Sequence, residues 1–247
     1  MTNISIITVI PGLTRNLFRT FATVMKIIFA TGNPGKLREA AEVLGPDFEI
    51  VSPASLGITE EIPETGSTLQ ENSLQKAQYL FERTGLPVFA DDTGLEVDAL
   101  GGAPGIYSAR YAGPGHDHQA NMDKLLKSLE QLVPDPDDGG CFPRNPLGRC
   151  APSASDKQPT NDRRARFRTV VTLILADGTP HFFEGTCEGS IATEKRGTGG
   201  FGYDPVFLPD AYPGRTLAEV SEEEKNAVSH RGNAMRALSD WLKANRP

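Results

Sequence analysis

Apolar residues fall first into short runs and helical stripes that alternate. Lys26-Ile27-Ile28-Phe29-Ala30 is a short apolar run and reads as a strand. Residues 36–44 place Leu37, Ala40, Ala41 and Leu44 on one helical face, and Gly45-Pro46 ends it. Phe48-Glu49-Ile50-Val51 reads as a second strand. Thr68 with Glu71 three residues on has the form of a capping box; it opens a helix through Phe81 that Gly85 closes. Pro87-Val88-Phe89-Ala90 reads as a third strand that stops on Asp91-Asp92, with Thr93-Gly94 turning the chain. Gly101, Gly102, Pro104 and Gly105 form a rigid, close-approach loop, and a helix follows over about 117–132. Residues 167–176 are β-branched and apolar, Asp177-Gly178 is a hairpin signal, and 179–187 return as the partner strand. A last helix covers about 229–244. Strand–helix alternation followed by a hairpin predicts an α/β fold around a mixed sheet, not a purely parallel one.

Two stretches depart from this pattern. Residues 134–165 carry Pro134, Pro136, Pro143, Pro146, Pro152 and Pro159 among Gly, Ser and mixed charges. Such a composition cannot bury a core and reads as a flexible insertion. Cys141 and Cys150 lie inside it as ordinary thiols. Residues 1–24 precede any Asp or Glu, and lack the basic start and long apolar core of a secretory signal. They fit either an organellar transit peptide or an appended, poorly ordered segment ahead of Met25; the second is the plainer reading. The domain is then 25–247.

Composition narrows the function. The 247 residues suffice for one large domain or two small lobes. A formal net charge of −7 gives no case for nonspecific nucleic-acid binding, so an anionic ligand would need a local cationic pocket or a metal. Three Cys without tight spacing argue against a disulfide framework or a zinc site, and a reducing cytosol is the default. Nothing approaches the roughly 18 consecutive apolar residues of a membrane helix.

Four constellations carry chemistry. In Ala30-Thr31-Gly32-Asn33-Pro34-Gly35-Lys36 a strand ends, a glycine turn follows, and a Lys stands at a helix start. Backbone amides and the helix dipole favour an anion there, although the spacing is too short for a Walker A loop. The second is acidic: Glu60, Glu61 and Glu64, Glu71 within the long helix, and the adjacent Asp91 and Asp92. Adjacent like charges repel unless a cation offsets them, and Mg2+ takes a few carboxylates plus waters and phosphate oxygens. The same helix puts Asn72 and Lys76 one turn apart on one face. The third, residues 197–204, is a glycine loop in which Phe201 or Tyr203 could stack on a base. The fourth is Lys225 with Ser229-His230-Arg231, suited to an anion or a base edge.

The ordered series ATGNPGK, ENSLQKA, FADDTGLEVDALGGAPGIYSARYAG, GTGGFGYDPVF and EEKNAVSHR closely resembles the inosine triphosphate pyrophosphatase family over about 26–242, interrupted at 134–165. The resemblance implies an elongated two-lobed α/β domain around a long mixed sheet flanked by helices, typically a homodimer. It implies hydrolysis of deaminated purine nucleoside triphosphates such as ITP, dITP and XTP. Thr31, Gly32, Asn33, Pro34, Gly35 and Lys36 would cradle the triphosphate. Glu64 and Asp92 would hold Mg2+, with Asp92 the proton acceptor and Asp91 supporting it. Thr93, where the family often has Ser, would touch substrate. Phe201, Gly202, Tyr203 and Asp204 would hold the base, with Phe201 stacking on it, and Lys225, Ser229, His230 and Arg231 would read its edge. The substrate is a small nucleotide; no direct nucleic-acid contact and no membrane are expected, and the location is cytoplasmic. Residues 1–24 and the Pro-rich insertion depart from the family's usual pattern. Two other readings stand beside this one: a related pyrophosphatase for pyrimidine or modified nucleotides, and a non-catalytic nucleotide-binding module.

Overall fold

The computed structural model describes residues 24–60, 62–132 and 162–245. Glu61, residues 1–23, most of the Pro-rich stretch and both of its cysteines lie outside these. The described strands are β1 (Met25–Phe29), β2 (Phe48–Val51), β3 (Val88–Val97), β4 (Pro104–Gly105), β5 (Arg164–Ile174), β6 (Pro180–Ile191) and β7 (Phe207–Pro209). The helices are α1 (Pro34–Leu44), α2 (Leu69–Thr84), α3 (His118–Glu130), α4 (Glu222–Val228) and α5 (His230–Ala244). They form one mixed sheet in the order β2-β1-β3-β5-β6-β7, with β4 on β3. β1 runs parallel to β2 and β3, while β3, β5, β6 and β7 pair antiparallel.

This order decides where a ligand can sit. From β2 through β1 to β3 the chain crosses first to one side of β1 and then to the other. Right-handed crossovers therefore put α1 and α2 on opposite faces, and a crevice opens at the carboxyl ends of β1 and β3. One face packs Ile27, Phe29, Phe89, Val171 and Leu173 against α1 and α5. The other packs Ile28, Val88, Ala90 and Ile174 against α2. A further cluster around Leu95, Val97, Phe167, Phe207 and α3 fills the far end of the long strands.

Several sequence expectations change here. β3 does not stop at the carboxylates; Asp91, Asp92, Thr93 and Gly94 lie inside a ten-residue strand in unbroken register with β5. A ladder of antiparallel bonds, invisible in a short apolar run, carries the strand through them. Arg164 and Ala165 belong to β5, not to the insertion. Arg163 also donates to the carbonyls of Ile191 and Ala192 at 2.7 and 2.6 Å. Thr68 caps α2 as expected, but the Glu71 carboxylate accepts from Ser67, at 2.6 Å from its amide and 2.7 Å from its hydroxyl. Glu71 thus has a capping role apart from the other acids. The helix α4, opened by a capping box from Ser221 to Glu224, was not anticipated.

Candidate active site

Strand periodicity sorts the two carboxylates. Successive side chains of a strand point to opposite faces, so Asp91 faces α1 and α5 with Phe89, and Asp92 faces α2 with Ala90. They do not share one side as the adjacent-charge argument assumed, and they meet different cations. β1 pairs with β3 only as far as Phe29–Phe89, and β4 joins β3 only at Leu95 and Glu96. The edge of β3 between these points opens on a cleft of about 1000 Å3 that Asp91 lines directly, while Asp92 stands behind Lys76 and Glu64, which line it too. Thr31, Gly32, Lys36, Glu60, Glu64, Lys76, Asp91, Arg110 and His116 are among its lining residues.

On the first face Asp91 is 2% exposed. It accepts from Lys36 Nζ at 3.0 and 2.8 Å and from Arg231 Nε at 3.1 Å. Burial alone would raise its pKa; the charges of Lys36, Arg231 and Lys76 outweigh this and hold the carboxyl well below the usual carboxylate range. Lys36 is aimed by the start of α1. Asn33 caps that helix, its Oδ1 accepting from the Gly35 amide at 2.8 Å and the Lys36 amide at 3.4 Å, with Pro34 as first helical residue. Thr31 Oγ1 in turn accepts from the Asn33 amide at 3.1 Å. The Gly35 and Lys36 amides are thus engaged by Asn33, so the positive pole here consists of the helix dipole and the Lys36 ammonium.

On the second face Lys76 Nζ joins Glu64 at 2.8 Å to Asp92 at 3.2 Å, and Asn72 Nδ2 donates to Asp92 at 3.2 Å. Burial, added to by the Glu64 charge, raises the Asp92 pKa against the pull of Lys76 and the Asn72 hydrogen bond. Burial would lower the Lys76 pKa, but Asp92, Asp91 and Glu64 together raise it. Asn72, Ser73 and Lys76 occupy the inward stripe of α2 between Leu69 and Ala77. Polar residues on a stripe that should be apolar were the available signal for Asn72 and Lys76 as site residues. The sequence marked Arg110 only as part of the stretch from Phe89 to Gly113, with no role of its own, and nothing local marked His116.

The base-side residues gather farther along. Phe201 is 72% exposed, its ring meeting His118 edge-on at 4.3 Å. Tyr203 does not share that exposure. It is buried, its hydroxyl donates to the Ser108 carbonyl at 2.9 Å, and burial pushes the phenol well above its ordinary range. That corrects Tyr203 from a stacking candidate to a support of the loop. Asp204 is also buried and accepts from the Phe201 amide at 2.5 Å and Lys225 Nζ at 2.6 Å. Gly200, at φ 79°, is where that turn closes: a side chain there would overlap the Asp204 carboxylate. Gly202 follows at φ 64°. Ser229 caps α5, its Oγ accepting from the Gly232 amide at 3.1 Å. Thr93 shares a hydrogen bond of 2.7 Å with Thr169 on the Asp91 face. Arg231 joins the two regions, since it binds Asp91 and Glu39 while its neighbour His230 stacks on Phe167 at 4.9 Å.

Burial, with the positive charges of Arg231 and Lys225, lowers the His230 pKa to about 3. A free His titrates near 6.5, so the unfolded chain takes the proton first. Stability falls as pH drops from about 6.5 towards 3, and is independent of this group above that window. His230→Gln is expected to flatten the loss of urea midpoint between pH 6.5 and 4.5. An unchanged slope would mean that other groups carry the acid dependence.

Both Glu64 and Asp92 converge on one cation, the Lys76 ammonium, beside a cationic helix start. Two hard oxygen donors near the cationic start of α1 fit a divalent ion shared with phosphate. No cluster of three or more His, Cys, Asp or Glu suited to a metal occurs among the described residues, so an ion here would rest on these carboxylates plus substrate and water.

The sequence profile of the Ham1 family matches residues 27–142 and 150–241. A dITP/XTP pyrophosphatase of Porphyromonas gingivalis is 49% identical over 88% of this chain and 97% of its own length. A second dITP/XTP pyrophosphatase, from Christiangramia forsetii, is 42% identical over 88% of this chain and 99% of its own. The Ham1 protein of Staphylococcus aureus superposes with a TM-score of 0.73 at 36% identity, covering 90% of this chain and all of that one. A nucleoside-triphosphatase, dITP/XTP pyrophosphatase, of Mycobacterium abscessus gives 0.67 at 40% identity, over 87% and 98%.

Proposed function

The chain belongs to the Ham1 family, and from that premise we propose that it hydrolyses deaminated purine nucleoside triphosphates (ITP, dITP and XTP) to the monophosphate and pyrophosphate. The chemistry would keep such nucleotides out of DNA and RNA. The observation that carries this reading is the pairing at the break in the sheet: Lys36 and Arg231 on Asp91 at one face, Lys76 between Glu64 and Asp92 at the other.

A nucleoside triphosphate brings about four negative charges, so neutralisation is the main task. Lys36 and the start of α1 hold the polyphosphate, and Asp91 keeps Lys36 and Arg231 in place. Glu64 and Asp92 are the residues that would hold Mg2+, which when bound offsets phosphate charge. Asp92 also takes the proton of the attacking water. Phe201 stacks on the base, and Asp204 and Lys225 hold the loop that carries it. His230, neutral at working pH, and Ser229 can donate to the 6-oxygen of hypoxanthine or xanthine, where adenine carries an amino group. A site built to pair with one group rejects its replacement by roughly 10^4-fold or more.

The protein acts as a single domain over 25–247, preceded by an appended segment, and as a homodimer in the cytoplasm. Among the described residues no helix is long and apolar enough to cross a membrane. The test is pyrophosphate release from ITP, XTP, dITP, GTP, ATP, dTTP and UTP, with Mg2+ and after its removal by chelation. Expected are preference for ITP, dITP and XTP and loss of release on chelation. Preference for dTTP or UTP would instead support a pyrimidine pyrophosphatase, and binding without release a non-catalytic module.

A further inference from the structure

The segment Ser108-Ala109-Arg110-Tyr111-Ala112-Gly113 belongs to a motif singled out in the sequence, yet no step above uses it. It is held by an unusual density of hydrogen bonds. Buried Asn121 of α3 donates to the Ser108 and Ala109 carbonyls at 3.4 and 3.0 Å and accepts from the Ala112 amide at 2.6 Å. The Ser108 hydroxyl donates to the Gly105 carbonyl at 2.6 Å and accepts from the Leu95 amide at 2.8 Å, which ties the turn to β3 just beyond Asp92. Tyr203 adds its bond to the Ser108 carbonyl. These bonds fix one backbone turn, and what that turn presents to the cleft is Arg110.

The Arg110 guanidinium lies by the Tyr107 ring, 5.3 Å from its centroid. The other Lys residues lining the cleft, and Arg231 beside them, are committed within the protein: Lys36 and Arg231 to Asp91, Lys76 to Glu64 and Asp92. Their charges cancel against those carboxylates. Among the described residues, Arg110 is the cleft-lining Lys or Arg without a carboxylate partner. A guanidinium on a rigid mount, with no carboxylate of the protein paired to it, is free to meet an anion that arrives from outside, although Glu60 also lines the cleft. A guanidinium fork matches phosphate oxygens two at a time, which an ammonium cannot.

We propose that Arg110 is a catalytic residue that grips the pyrophosphate portion of the substrate and takes up the charge that builds there. This rests on the pyrophosphatase reading above. The water oxygen bonds to the α-phosphorus and its proton passes to Asp92. The bond from the α-phosphorus to the bridging oxygen breaks, and its electron pair leaves with pyrophosphate. Negative charge therefore grows on the leaving group, and Arg110 meets it there. Arg110 lines the same cleft as Lys36 and Glu64, whereas Lys225, Ser229 and His230 line a separate small pocket, which puts Arg110 with the polyphosphate-binding groups.

Wild type, Arg110→Ala and Arg110→Lys are compared for turnover of ITP and for product inhibition by inorganic pyrophosphate and by IMP. Arg110→Ala is expected to lower kcat roughly 100- to 1000-fold, as loss of one transition-state donor does. The inhibition constant of pyrophosphate should rise at least about tenfold while that of IMP stays within about twofold, a split that general loosening of the fold cannot give. Arg110→Lys, which keeps the charge and loses the fork, should fall between. An Arg110→Ala enzyme with wild-type turnover, or one whose two inhibition constants move together, overturns the proposal. A wild type that releases no pyrophosphate from any triphosphate overturns the functional reading, which this comparison registers separately.

Discussion

Asp92→Asn is expected to lower kcat on ITP by about 1000-fold or more at saturating Mg2+, while leaving the melting temperature nearly unchanged. General base catalysis alone contributes roughly 10^2- to 10^4-fold, and the same substitution weakens a ligand to the divalent ion. The surroundings of the two carboxylates are the reason for proposing Asp92, and not its neighbour, as the base. Asp91 is buried between Lys36 and Arg231, which hold it ionised and make it a poor proton acceptor. Asp92 has no cation of its own and shares one ammonium with Glu64. The amide keeps the shape and an oxygen acceptor for Asn72 and Lys76, so folding is spared. Asp91→Asn should lower the melting temperature as well as turnover, since removing one partner of a buried pair strands the others at a cost of about 3–5 kcal/mol. The check is kcat beside a thermal melt for both variants. Near-wild-type turnover of Asp92→Asn at saturating Mg2+ would remove it from the base role.

The second large effect is expected at a residue that touches no ligand. Gly185→Ala should cost about 3 kcal/mol and lower the melting temperature by roughly 6–12 °C, given about 2–4 °C per kcal/mol for a chain of this size. Gly185 on β6 pairs with Thr169 on β5. A methyl group there would overlap the His230 carbonyl oxygen, the Ala234 amide nitrogen and the Asn233 side chain. Backbone atoms cannot swing aside as a side-chain tip can, so α5 must lift from the sheet. That helix start carries His230 and Arg231, so the surviving folded enzyme should also lose at least about tenfold in kcat as the 3.1 Å bond from Arg231 to Asp91 is drawn out. Gly115→Ala, with open space at its Cβ, serves as the stability control and should stay within about 0.5 kcal/mol. Equal melting temperatures for the two variants would mean that α5 does not depend on this approach.

The local pattern was enough to locate every long helix, and most of the charged residues later found at the cleft stand in a motif visible in the chain, whereas its wall from Pro53 to Pro63, Glu60 apart, and His116 do not. A period-3.6 stripe placed α1, the Thr68 cap and Gly85 bounded α2, and Asp177-Gly178 placed the β5–β6 hairpin, because those signals are local. What the chain could not declare is which side of the sheet each group faces and what it meets there. Asp91 and Asp92 are neighbours in sequence and look like one acidic pair. The strand that carries them through the cleft is extended by β5, a partner more than seventy residues away in register, and its pleat sends them to opposite faces. Tyr203 and Phe201 look alike in a glycine loop, and only the turn around Asp204 buries one and exposes the other. Arg110 looks like any surface arginine until the charges of the cleft are paired off and it is left without a carboxylate. Local patterning determined the elements and the chemical groups. Long-range strand pairing and the crossing of α1 and α2 to opposite faces decided which groups meet, because pleat and handedness act only once the sheet exists.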